Sequence, residues 1–207
     1  MISARDGWPL SSFLQRLEES ERFHLGEGLV HQTLRALVSD LEQAGIDYAV
    51  VGALALNAHG YARETTDIAL LVSPSGLGQF EKTLVGRGYL PVFSGARKSF
   101  RATRTNVRIE FLTTGEFPGD GRPKPIAFPE PNAVSEVASG IHIVRLPVLI
   151  ELKLASGMTN PGRLRDLADV QELIRVLELP RDYSDQLHPY VRAKFSELWT
   201  AVHDNPA

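Results

Sequence analysis

The sequence predicts an α/β (α+β) fold, a mixed sheet flanked by helices with a helical segment at the C-terminal end. Three observations predict it. Short apolar runs rich in β-branched residues, at 47–52 and 66–73, alternate with stretches of helical spacing. The stretch 107–112 alternates like a half-buried strand, with Arg108 and Glu110 on one face and Val107, Ile109 and Phe111 on the other. Beyond residue 146 a helical pattern dominates. We expect residues 1–146 to form an α/β core with N-terminal helices and residues 147–207 to form a C-terminal helical segment packed on it.

The elements follow in order. Pro9 precedes Leu10, Phe13, Leu14 and Leu17 at helical spacing, which predicts a short amphipathic helix. Leu34, Leu37, Val38 and Leu41 make the apolar stripe of a helix over 29–44 that Gly45 stops. A buried strand over 47–52 ends in Gly52, which opens a helix running to Gly60. A second buried strand, 66–73, leads to a helix over 76–87. Strands are expected at 89–93, 99–103 and 107–112. The stretch 114–132 carries five prolines among its glycines and reads as a long loop. A last strand at 141–146 precedes a helix over 148–156, a break from Gly157 to Gly162, a helix over 163–177 and a helical tail over 182–202.

Composition bounds the chemistry. The 207 residues are 43% hydrophobic and 23% charged, ordinary for a globular chain, and no run approaches a membrane span. The first residues lack the basic-then-apolar pattern of a signal peptide, so a cytoplasmic location is expected, with no membrane partner. There is no cysteine, which removes disulfides and thiolate chemistry, and the six histidines show no zinc-ligand spacing. A net charge of −3 argues against broad attraction to nucleic acid. A local basic run remains in Arg97, Lys98, Arg101, Arg104 and Arg108, followed by Arg122 and Lys124. Such a run is either a solvated sheet face or a phosphate-binding surface.

The informative block is 50–72. A glycine that ends a strand and opens a helix, here Gly52 followed by Ala53, lets backbone N–H groups approach phosphate. Arg63-Glu-Thr-Thr-Asp67 then leads into the next strand, and Glu110 stands on a later one. In this order of parts the chain resembles the DNA polymerase beta-like nucleotidyltransferase superfamily, nearest to its bacterial toxin-type branch of abortive-infection and toxin–antitoxin proteins. The resemblance covers roughly 41–112 and, more loosely, 146–177.

The resemblance implies a turn that holds a nucleoside triphosphate, at Gly52 and Ala53 with Arg63 and Thr66 nearby. It also implies Mg²⁺ on a pair of acids two residues apart plus a third strand carboxylate. Such a pair faces one side of a strand and can share cations that neutralise a triphosphate. Asp67 matches the first acid and Glu110 the third. The second is missing, because Asp67-Ile68-Ala69 stands where Asp-x-Asp is expected. The implied activity is Mg²⁺-dependent transfer of a nucleotide to an RNA, protein or small-molecule hydroxyl, curtailed by Ala69. The alternative is a non-catalytic nucleotide-binding module or a toxin–antitoxin pair member with an antitoxin partner.

A second cluster joins Lys153 to Asp166 and Asp169, i and i+3 neighbours on the following helix. The resemblance implies that a lysine and an aspartate here serve the active site. The residues alone allow an interhelical salt bridge equally well. His59 reads as a helix-end residue rather than a base, and Trp8 and Trp199 as packing residues.

Overall fold

The computed structural model describes residues 28–204. The expected helix around Leu10–Leu17 and the packing role of Trp8 lie outside the described residues. The elements are α1 (Leu29–Gln43), β1 (Tyr48–Val51), α2 (Gly52–Ala58), β2 (Asp67–Val72) and α3 (Pro74–Thr83), followed by β3 (Tyr89–Pro91), β4 (Ser99–Ala102) and β5 (Arg108–Thr113). Then come α4 (Pro131–Val134), β6 (Ser135–Ala138), β7 (Ile141–Val144), α5 (Leu146–Thr159), α6 (Leu164–Val176) and α7 (Pro189–Asp204). Short 3₁₀ turns, Pro161–Arg163 and Arg181–Gln186, precede the last two helices.

The expected α/β architecture is present as one mixed sheet of seven strands in the order β3-β4-β5-β2-β1-β7-β6. Strand β2 is therefore central. It runs antiparallel to β1 and parallel to β5, with Asp67 beside Arg108 and Ala69 beside Glu110. Alternation sends Ile68, Leu70, Ile109 and Phe111 to the opposite face, where all four are buried. There Phe80 of α3 meets Phe100 and Phe111 with ring centroids 5.0 and 4.7 Å apart, and α1 contributes Leu37 and Leu41 to the same core.

Four sequence expectations are corrected. The helix expected over 76–87 ends at Thr83, and Gly86 and Gly88 take positive φ in the turn that follows. The edge strand β6 was not anticipated; it pairs with β7 across the Ser139-Gly140 turn, where both residues have positive φ. Helix α5 does not break at Gly157 but continues to Thr159. The glycine is there for closeness, since a Cβ on it would come within 2.5 Å of Leu167 on α6. The tail expected over 182–202 is a 3₁₀ turn followed by α7. Helices α5, α6 and α7 pack on one another, and no helix among the described residues is long and apolar enough to cross a membrane.

Candidate nucleotide and metal site

The open face of the sheet is set by β2. A residue in the middle of the central strand of a seven-stranded sheet is ordinarily covered, yet Asp67 and Ala69 are both only half-buried. Their cross-strand neighbour Glu110 is half-buried as well, while Leu71, further along the same face, is fully covered. The opening is therefore confined to the start of β2. Gly52 and Ala53 overhang it from the end of β1. Gly52 sits at φ +67°, and a Cβ added to it would lie 3.2 Å from the Ala69 Cβ. Both the left-handed backbone and the close approach favour glycine. Helix α2 behind this turn has only seven residues, so little dipole stands behind the turn.

Asp67 is held from its own loop. The Thr65 hydroxyl donates to the Asp67 carboxylate, whereas Thr66, singled out in the sequence, is exposed and makes no such contact. Thr65 was missed because the motif spacing drew attention to its neighbour. Glu110 forms an ion pair with Arg108, which lies two residues before it on the same face. Arg108 also donates to Ser99 Oγ at 3.4 Å.

The second cluster is a closed network. Lys153 Nζ donates to Asp169 Oδ2 at 2.7 Å and to Asp166 Oδ1 at 3.0 Å, and Ser156 Oγ donates to Asp166 Oδ2 at 2.7 Å. Arg63, 106 residues away in sequence, donates to Asp169 Oδ2 at 2.5 Å. Asp169 is 2% exposed and Lys153 6%. The sequence grouped Lys153 with the two aspartates and placed Arg63 near the nucleotide turn; in the fold the Arg63 side chain joins the Lys153 group by its contact with Asp169 of α6. Asn57 fixes the Arg63 backbone from both sides, its Oδ1 accepting from Arg63 N and its Nδ2 donating to Arg63 O, each at 2.8 Å. Tyr61 lies beside the network, and burial followed by the Asp169 charge pushes its hydroxyl pKa above the ordinary value.

Other sequence candidates fall into structural roles. His59 caps α2, its Nε2 2.8 Å from the Val144 carbonyl oxygen. Trp199 Nε1 donates to the Leu179 carbonyl. Lys124 is buried against Asp120, Pro118 O and Thr159, so this part of the basic run fastens the long loop to α5. Two cavities lie away from β2: one of about 240 Å³ lined by Glu42, Asp47, Tyr48 and His142, and a groove of about 670 Å³ between α1 and the β3–β4 edge.

The donor set bears on the implied Mg²⁺. Among the described residues no group of three His, Asp or Glu side chains is placed to hold a metal. Asp67 and Glu110 share one face as diagonal neighbours across β2 and β5, and Ala69 between them offers only a methyl group. Two carboxylates suit a single Mg²⁺ that draws its other ligands from water and phosphate. They do not suit a two-cation clamp.

No protein-family model matches the chain, and none of the curated proteins does. Solved structures similar to it include a candidate nucleotidyltransferase from Thermotoga maritima, with TM-score 0.46 and 16% identity over 70% of this chain and 91% of that one. Another, from H. pylori and also described as a candidate nucleotidyltransferase, gives TM-score 0.42 and 15% identity over 84% and 92% of the two chains. ANT(2″)-Ia in complex with adenylyl-2″-tobramycin gives TM-score 0.40 and 13% identity over 83% and 90%. Likeness at this level adds nothing about chemistry, so the function rests on the chain's own residues.

Proposed function

We propose that this chain binds a nucleoside triphosphate together with one Mg²⁺ on the open face of the sheet, in the manner of a nucleotidyltransferase, and that Ala69 curtails nucleotide transfer to an acceptor hydroxyl. One observation carries the reading. Among the β2 side chains only those at its start, Asp67 and Ala69, are accessible, on the face they share with Glu110 beneath the Gly52–Ala53 turn.

Each group has a physical task in this reading. Gly52, lacking a side chain, leaves the turn's backbone open to phosphate oxygens. Asp67, oriented by Thr65, and Glu110 are the two oxygen donors that would hold Mg²⁺, which supplies charge neutralisation to the triphosphate. Arg108 holds Glu110 in place and neutralises it in the absence of a cation. A methyl at position 69 removes the ligand that a second cation would need, so binding survives better than transfer. The Arg63–Lys153–Asp169 network anchors the loop that leads to Asp67 at Arg63.

Titration calorimetry of each common nucleoside triphosphate, with and without Mg²⁺, tests this. Mg²⁺ is expected to tighten binding, and in Asp67→Asn the Mg²⁺-dependent binding is expected to weaken at least about tenfold, the scale of one lost charged ligand contact. Ala69→Asp should tighten Mg²⁺-dependent binding and raise transfer of labelled nucleotide to acceptor. If neither the wild type nor Ala69→Asp binds any triphosphate with Mg²⁺, the reading fails.

A further inference from the structure

We propose that Arg101 and Arg108 together form a binding site for a phosphate group, taken without a metal ion, beside the Asp67–Glu110 pair. Register places them. Arg101 of β4 is the direct cross-strand partner of Arg108 of β5, and Arg108 is in turn the partner of Asp67 of β2. The three residues thus form one row across neighbouring strands on the open face. Phe100 and Ile109, next to the arginines in sequence, face the buried side.

Two like charges directly opposite on antiparallel strands repel, and their Cβ atoms stand only about 5 Å apart. Both side chains are exposed, so water relieves part of that repulsion. What they retain inside the protein is limited. Arg101 Nη1 donates to the neutral Asn106 Oδ1 at 3.0 Å, and Arg108 pairs with Glu110. Asn106 reaches Arg101 from a left-handed position, φ +63°, in the turn that joins the two strands. Among the described residues Arg101 therefore has no acidic partner, and Arg108 shares a carboxylate that a cation would compete for. A phosphate dianion between them would neutralise both forks, a geometry guanidinium groups accept bidentately. Ser99, on the next row beside Glu110, adds a hydroxyl within reach of Arg108.

The site deepens the nucleotide reading, since it stands on the same face, but it makes a separate demand on the molecule. Its ligand is a pyrophosphate or phosphate monoester, which comes either from the nucleotide itself or from a phosphorylated second substrate.

Inorganic pyrophosphate is the probe. Titrated into the full chain in EDTA at low ionic strength, it is expected to bind, and Glu110→Gln, by releasing Arg108, should strengthen that binding severalfold. Arg101→Ala combined with Arg108→Ala should weaken it at least tenfold. Arg101→Glu is the control for folding. It replaces a like pair with an opposite one, so its melting temperature should match or exceed the wild type while pyrophosphate binding is lost. If the wild type does not bind pyrophosphate, or if Arg101→Glu binds it as well as the wild type, the proposal is overturned. Because the titration contains neither Mg²⁺ nor nucleoside, its failure is separate from failure of the nucleotide reading. Where both ligands bind, competition between pyrophosphate and Mg²⁺-triphosphate assigns the pair to the nucleotide's phosphates, and simultaneous binding assigns it to a second substrate.

Discussion

The loop between α2 and β2 links the open face at Asp67 to the buried network at Asp169 through Arg63, and the two places hold their charges in opposite ways. At Asp169 one carboxylate accepts from both Arg63 and Lys153, and the side chain is 3% exposed. At Asp67 the carboxylate takes a hydroxyl from its own loop and stays half-open, while Glu110 is balanced by an arginine that is 51% exposed. Charge in the first place is used to join elements far apart in sequence. In the second it keeps capacity for something outside the protein. Charged residues at motif spacing mark both places equally, and burial separates them.

The largest effect should break the network. Asp169→Ala leaves the buried Lys153 and the half-buried Arg63 without their shared acceptor, a change worth about 3–5 kcal/mol. Asp67→Ala, on the open face, should cost less than about 1 kcal/mol. Chemical denaturation of both variants measures the contrast, and equal losses would show that the two clusters are not different in kind. An intermediate effect is expected for Gly52→Ala. The new Cβ meets Ala69 at 3.2 Å on a backbone at φ +67°, which should cost about 1–2 kcal/mol and reduce triphosphate binding together. Stability lost without any loss of binding would separate the turn from the site.

The smallest effect is a pH dependence at Tyr61, beside the network. The Tyr61 hydroxyl pKa is raised in the folded protein, first by burial and then by Asp169 and Glu172. Its contribution to stability is therefore complete below the unfolded value of about 10 and is lost as pH rises beyond it. Denaturation midpoints of the wild type should fall more steeply above that pH than those of Tyr61→Phe. Parallel curves would mean that neither burial nor the neighbouring carboxylates raise the Tyr61 pKa.

Much of this arrangement was legible in the sequence because it depends on local pattern. The apolar runs of β1 and β2 and the alternation of β5 gave the sheet, and the facing of Glu110 followed from period two. Strand β6 was hidden because it lies at an exposed edge, where Glu136, Val137 and Ala138 show no buried side. Gly157 misled because a glycine that permits helix contact looks the same in sequence as one that ends a helix. At the candidate site the resemblance directed attention to position 69, whereas the partner of Arg63 depended on a contact spanning 106 residues that no local pattern encodes. The Arg101–Arg108 juxtaposition needed strand register, which composition does not give.

Position 69 has one more consequence. Its side chain leaves the central strand on the side away from Ile68 and Leu70, both of which are fully buried. A change there meets Gly52 of the overhanging turn rather than the apolar layer on the other side of the strand. In the nucleotide reading proposed above, a carboxylate could therefore be placed at this position by one substitution while Ile68 and Leu70 keep their packing.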